Sequence, residues 1–515
     1  MSQVGVGIGT VISTPNGPRS GGFSFVVTSD PTGNVSQGEF IQVETPPGLT
    51  IACVTEVYKT NRYFDRAETV REWERRGENV ENIFPVGKWE YMVADARCLA
   101  LYNQTTGELD KPRQPVSPGS KVYQADEEIL EKLLGLDPDG LEIGYLQHHN
   151  TPVKLNLTRT FQKHAAILAM SGAGKSYLAS VLIEELLDRR VEGGRVGVVV
   201  FDTHGEYTSF GLKPTTRGEV DYSDRCVVVD ASKMRLATPH LTAFNISEYA
   251  PDMSSAQMRE LSRVLEELRE DIRTGGGGSY TLEDVCCRVE QDNQMPRRTK
   301  EALLSWLYDL SNLRLFHDVE EPVLEDVVAP GLLTVFDMSK IIDLRKKQVL
   351  LSYAADRLFT LRRDEQIPPF VMVVEEAHQY APESSFVRAI SRRILETIAR
   401  EGRKFSLALL LISQRPVRLS TTVLSQCNTQ FILRVNNPYD LDHLGRSSEG
   451  ITRETLNTIS SLPVGEVLVV GEAVNHPIFV RVRKRRSPEG RYGISLEEAA
   501  RRYEQRNPPD IGCLA

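Results

Sequence analysis

No apolar run in this chain approaches the ~20 residues needed to cross a bilayer. The opening MSQVGVGIGTVIST lacks both a basic start and a sustained apolar stretch, so no secretory leader is expected and a cytoplasmic location follows. Cysteine is scarce: Cys53, Cys98, Cys226, Cys286, Cys287, Cys427 and Cys513 are scattered, with no C-x-x-C pair. That spacing argues against a disulfide framework or a zinc site and for small buried hydrophobes in a reducing compartment. An excess of positive charge is also missing. The formal net charge is −9, which excludes a chain that coats nucleic acid over its whole surface but leaves room for a local basic channel.

What is present is an ordinary globular composition, 40% hydrophobic and 25% charged, over 515 residues, too long for one compact core. The first ~60 residues read as short strands (Val4 to Ser13, Phe23 to Thr28, Phe40 to Val43, Leu49 to Val57) parted by turns such as Pro15-Asn16-Gly17. A charged helical pattern from Ala67 to Arg76 interrupts them, and Tyr91 to Tyr102 returns to strand character. A small β-barrel domain over residues 1–150 is expected, ending soon after Asp137-Pro138-Asp139-Gly140.

From about residue 160 short apolar runs alternate with helical patterns, as in a parallel sheet with crossover helices. The runs are Ala165 to Leu168, Val198 to Phe201, Cys226 to Val229, Leu332 to Phe336, Val371 to Val374, Leu407 to Ile412 and Phe431 to Leu433, with Val467 to Val470 and Ile478 to Val482 as a closing pair. The expected α/β domain covers 151–485. It takes a helical insertion at about 247–315, with Gly275 to Gly278 as a flexible connection inside it. A C-terminal extension, 486–515, follows the locally basic Arg481 to Arg486 and is helical from Ser495 to Arg506.

The chemistry concentrates at strand ends. Ala169-Met170-Ser171-Gly172-Ala173-Gly174-Lys175-Ser176 sits between the strand Ala165 to Leu168 and the helix Tyr177 to Leu187, the context a Walker A loop requires. Small residues let the N–H groups of Ser171 to Tyr177 turn around a β-phosphate at a helix N-terminus. Lys175 would reach the β- and γ-phosphates, and the Ser176 hydroxyl would ligate Mg²⁺. Ala169 stands where the first glycine is usual.

The matching half is Val371 to Val374 followed by Glu375-Glu376, a Walker B arrangement with glutamate where aspartate is commoner. Glu375 would hold the Mg²⁺ shell through water, and Glu376 would orient or deprotonate the attacking water. Gln414, at the tip of the strand Leu407 to Ile412, is placed to sense the γ-phosphate. Asp202 and Glu206, in Val200 to Tyr207, either assist the catalytic water or cap a turn. Arg400 and Arg403 follow a helical pattern with apolar Val387, Ile390, Ile394 and Ile398. At that end of a sheet, on a Gly-containing loop, they suit an arginine finger that completes a neighbour's site.

The stretches MSGAGKS, FDTHGEY, VVEEAH, EGRKF, LLISQRP and LSQCNTQFILRVNNP, in this order, resemble the HerA branch of the HerA–FtsK motor superfamily over nearly the whole chain. The resemblance implies a RecA-like P-loop domain and an N-terminal barrel. It also implies a homohexamer that hydrolyses ATP with Mg²⁺ to thread double-stranded DNA, acting with a NurA-type nuclease in end resection and repair, and no membrane partner. A defence-complex motor or a secretion-type motor shares the same core. Residues implied as functional are Gly172, Gly174, Lys175, Ser176, Glu375, Glu376, Gln414 and Arg403. Channel-facing DNA contacts are expected from Lys213, Thr215, Thr216 and Arg217 and from Ser384 to Arg388.

Overall fold

The computed structural model describes residues 7–506 apart from 16, 29–34, 47, 62–89 (four isolated positions aside), 276–277, 384–388, 448–450 and 491–495. It divides into two compact units, residues 1–155 with 473–481, and residues 156–472 with 482–515.

In the first unit strands β1 (Gly9–Ile12), β2 (Gly22–Val27), β3 (Phe40–Thr45), β4 (Gly48–Asn61), β5 (Glu90–Tyr102), β6 (Leu109–Asp110) and β7 (Lys121–Gln124) form an antiparallel sheet ordered β2-β1-β7-β3-β4-β5-β6. An additional β2–β5 pairing closes six of these strands into a barrel, which removes the exposed edges. Alternation fills it: Phe23, Phe25 and Val27 of β2 are buried with one residue skipped each time, and they meet Ile41, Val43, Ala52 and Val54 in one core. Helix α1 (Glu127–Leu134), capped by Asp126 and closed by left-handed Gly135, leads to β8 (Leu141–Leu146) and β9 (Pro152–Leu155). The expected helical stretch Ala67 to Arg76 falls largely outside the described residues.

The second unit is a RecA-like α/β sandwich. Its strands are β10 (Ala165–Leu168), β11 (Gly197–Asp202), β12 (Cys226–Asp230), β13 (Leu236–Ala237), β14 (Phe316–His317), β15 (Leu333–Asp337), β16 (Phe370–Val374), β17 (Leu407–Ser413), β18 (Thr429–Ile432) and β19 (Glu466–Gly471). Its main sheet runs β12-β15-β11-β16-β17-β10-β18-β19, parallel except for antiparallel β19, while β13 and β14 pair separately. The central strands β10, β11, β16 and β17 are buried at every position, as expected of strands covered by helices on both faces.

Helix α2 (Lys175–Leu187) follows β10. Four helices occupy 243–311: α3 (Ala243–Tyr249), α4 (Ser255–Arg273), α5 (Leu282–Gln291) and α6 (Arg297–Ser311). The first three open with reciprocal capping boxes, Thr242/Asn245, Ser254/Gln257 and Thr281/Asp284. Helix α4 buries Leu261, Val264, Leu265 and Leu268, a stripe at helical spacing. Of the expected glycine connection, Gly276 and Gly277 lie outside the described residues.

Helices α7 (Leu344–Arg363) and α8 (Arg392–Glu401) precede β16 and β17. Helix α8 begins at Arg392, so Ile390 stands before it and Val387 is outside the described residues. The buried face is Ile394, Leu395, Ile398 and Ala399.

Candidate functional site

Pairing register fixes the working rim. Leu168 lies opposite Ser413, Val374 opposite Leu411 and Phe201 opposite Val374, so the residues after β10, β11, β16 and β17 emerge together at the carboxyl ends of the strands. Strand β17 lies between β10 and β16, which sets the loop after β10 and the carboxylates after β16 about two strand spacings, ~10 Å, apart. That gap suits a phosphate and a water.

The loop after β10 is built by backbone conformation. Gly172 (φ +76°) and Gly174 (φ +100°) are left-handed, which a side chain disfavours even where space is open. Gly174 starts α2 with no side-chain cap, leaving the first-turn N–H groups for another acceptor. Ala169 is fully buried and its N–H donates to the Ser413 carbonyl (3.2 Å).

Glu376 is 4% exposed and sits at φ 50°, ψ 43°, a left-handed conformation that costs a non-glycine residue about 1–2 kcal/mol. Burial raises its carboxyl pKa, and the Lys175 ammonium, His204 and a hydrogen bond with Gln414 lower it. Lys175, Glu376 and Gln414, from three separate strand ends, therefore converge. The Oε2 atoms of Glu376 and of Glu206 are buried and make no hydrogen bond.

Glu375 is engaged differently. Its Oε2 accepts from the N–H groups of Thr203 (2.8 Å) and His204 (3.1 Å), and its carboxyl is hydrogen-bonded with Asp202. Burial, then the facing Asp202 and Glu206 charges, push its pKa well above the usual carboxylate range. Asp202 is fully buried and accepts from four backbone N–H groups, Oδ1 from His204, Gly205 and Glu206 and Oδ2 from Tyr207. Between the two readings open for Asp202, this geometry is that of a turn cap, while Glu206 keeps a free oxygen. Lys347 of α7, nearly buried, donates to the Thr203 carbonyl (3.1 Å) and faces Glu375, Asp202 and Asp337. Nothing local in Leu344 to Val349 signals that role. His204, His378 and Lys347 were all absent from the residues singled out by motif. His204 and His378 stand inside FDTHGEY and VVEEAH, so only Lys347 was beyond reach.

Arg400 and Arg403 are exposed and occupy the opposite rim, on the segment that enters β17. They are not beside the phosphate loop of their own chain, so any contact of theirs with a nucleotide has to be made in another subunit. Gly402 is required there for space: a Cβ would stand 2.8 Å from the Leu407 carbonyl. Lys213, Thr215, Thr216 and Arg217 form an exposed loop, the Thr215 and Thr216 N–H groups bonded to Glu219 (3.1 Å each). Ser384 to Arg388 lie outside the described residues.

Part of the basic run near the end, Arg483, Arg485 and Arg486, is engaged within the chain. Arg483 donates to Glu184 (2.8 Å) and Glu185 (2.7 Å) of α2, and fully buried Glu184 also accepts from the Arg486 and Ser487 N–H groups and the Ser487 hydroxyl. The Arg485 N–H donates to the Tyr177 hydroxyl (2.7 Å), and its guanidinium reaches Ser209. This strap thus holds the helix that opens with Lys175 and Ser176.

The residues fit a magnesium nucleotide: an uncapped helix N-terminus, a lysine beside it and open carboxylate oxygens opposite. Among the described residues no group of three or more His, Cys, Asp or Glu could hold a metal ion by itself.

Fold and site together define a P-loop ATPase. A family described as "Helicase HerA, central domain" matches residues 141–358. The DNA double-strand break repair helicase HerA of Pyrococcus furiosus is 29% identical over 552 aligned positions, covering 95% of this chain and 94% of that one. A probable helicase of Methanocaldococcus jannaschii is 26% identical, covering 93% and 95%. Among solved structures, VirB4 of Thermoanaerobacter pseudethanolicus superposes with a TM-score of 0.53 at 16% identity, over 67% of this chain and 97% of that one. Residues 141–358 thus match the central domain of helicase HerA, and nearly the whole chain is similar to HerA helicases. Among the described residues no helix is long and apolar enough to cross a membrane.

Proposed function

We propose that the protein is an ATP- and Mg²⁺-dependent translocase of double-stranded DNA, working as a homohexamer with a nuclease partner in end resection. The observation that carries the catalytic part is the convergence of Lys175, Glu376 and Gln414 from separate strands on one rim. The DNA cargo is supported by alignment with HerA helicases over almost the whole chain. Likeness to VirB4 supports the fold alone, so a secretion-type motor has less behind it.

In this reading the N–H groups of Ser171 to Tyr177, Gly172, Ala173 and Gly174 among them, cradle the β-phosphate, and Lys175 spans to the γ-phosphate. Mg²⁺, when bound, neutralises charge on the phosphate oxygens, with the Ser176 hydroxyl as its ligand and Glu375 reaching its shell through water. Glu376 takes the proton of the attacking water, and its raised pKa brings it nearer the range in which a general base works at neutral pH. Gln414 fixes that carboxylate and the water. Glu206 holds the second open oxygen near the same point. Arg403, with Arg400, reaches a neighbour's γ-phosphate, which their place on the far rim favours over action within the chain. Lys213, Thr216 and Arg217 offer phosphate contacts whose binding falls steeply with salt.

An ATPase assay with and without linear duplex DNA, beside a mass measurement of the assembly, tests this. Stimulation by duplex DNA and a six-subunit mass are expected. Stimulation by a protein substrate alone would replace the DNA reading with the secretion-type one.

A further inference from the structure

Two residues after Glu376, the short helical turn Ala377–Gln379 carries His378 back toward the strand ends. Its Nδ1 is hydrogen-bonded with the Ser413 hydroxyl at 3.3 Å and stands 3.2 Å from Glu376 Oε2, the buried oxygen that makes no hydrogen bond. Ser413 is no bystander. It is the last residue of β17, its carbonyl takes the Ala169 N–H that opens the phosphate loop, its hydroxyl takes the Arg415 N–H (3.1 Å), and Gln414 is next in the chain. One ring nitrogen therefore stands between the carboxylate and the strand end tied to the nucleotide cradle.

Burial, with Arg415, Arg418 and Lys175 near, keeps this imidazole neutral, its pKa lowered to about 4. A neutral ring has a single N–H, so Nδ1 donates or accepts but never both. Glu376 Oε2 only accepts while ionised. The Nδ1–H tautomer thus satisfies it, whereas the other tautomer turns a lone pair on the carboxylate and takes the Ser413 proton instead.

We propose that His378 is a positioning residue for the hydrolytic glutamate: its Nδ1 exchanges between the Ser413 hydroxyl and Glu376 Oε2, so the aim of the carboxylate follows the end of β17. The proposal rests on reading Glu376 as the base. It adds a device that Gln414, Lys175 and the loop do not supply.

The test compares three variants of the full-length protein by steady-state ATPase kinetics, binding of a fluorescent ATP analogue and thermal melting. His378→Ala is expected to lower kcat about 10- to 100-fold, with nucleotide affinity unchanged within about twofold. His378→Asn offers an amide N–H where Nδ1 stands and is expected to recover most of that rate. His378→Gln puts its amide where Nε2 stands and is expected to stay near the alanine level. Wild-type kcat in His378→Ala, equal recovery by Asn and Gln, or a loss that tracks melting temperature or nucleotide affinity overturns the proposal. Wild-type protein without ATPase activity, or Glu376→Gln as active as wild type, overturns instead the reading of Glu376, which the His378 series alone would not touch.

Discussion

The two rims of the parallel sheet carry charge in opposite ways. At the carboxyl ends of the strands Glu375, Glu376 and Asp202 are all at least 95% buried, and each is restrained by a backbone N–H, a buried lysine or a strained backbone. At the amino ends Arg400, Arg403 and Lys404 are exposed, and a buried polar group among the described residues there is a neutral histidine. His164 accepts the Leu409 N–H at Nδ1 (2.9 Å) and pairs Nε2 with the Ala399 carbonyl (2.9 Å), so it staples α8 to β17 as a neutral ring. One rim spends stability to hold charge out of water, where electrostatic interactions are strong. The other leaves its cations solvated, fit for contact with something outside the chain.

That contrast breaks in order of expected effect. Glu376→Gln should lower kcat about 10³-fold while ATP binding persists. A variant that hydrolyses at the wild-type rate would move the chemistry off this rim. Arg403→Ala should cost about 100-fold or more in kcat with nucleotide affinity little changed. Mixing inactive Arg403→Ala with inactive Glu376→Gln should restore some activity, since mixed interfaces hold both groups. No recovery at any ratio would confine Arg403 to its own chain.

The far rim should fail by acid rather than by loss of catalysis. His164 has its pKa lowered from 6.5 to about 4 by burial, so the unfolded chain binds the proton more readily. Its contribution is complete above the unfolded value and is lost as pH falls from 6.5 toward 4, in total about 3 kcal/mol. Denaturation of wild type across that window should show the slope, and His164→Gln should flatten it. An identical slope in the variant would place the acid sensitivity elsewhere. The smallest effect is expected from Lys404→Ala, because its pair with Glu401 (2.6 Å) is exposed and such pairs contribute about 0–1 kcal/mol. A larger loss in a melting experiment would show that this rim is not simply solvated.

Much of the site was legible because it is contiguous. The phosphate loop, Glu375-Glu376 and Gln414 each stand directly after an apolar strand, and strand order brings them to one rim. The barrel was readable for a similar reason, from local alternation and turn chemistry. What was hidden depends on distant partners. Whether Asp202 caps or catalyses is decided by where four N–H groups turn. Lys347 reaches Thr203 from 144 positions away in the chain, and Arg483 finds Glu184 at a separation of 299. Composition registers those residues as charge and says nothing of what neutralises it.

The strap that closes over α2 limits how far the protein can be trimmed. Ending the chain before Arg483 would strip Glu184 of Arg483, two main-chain amides and a hydroxyl at once, leaving its buried carboxyl without those partners beneath the helix that begins at Lys175. Any shortened version meant to retain nucleotide binding therefore has its safe boundary downstream of this segment, even though the helix Leu496–Arg506 beyond it buries nothing among its own residues.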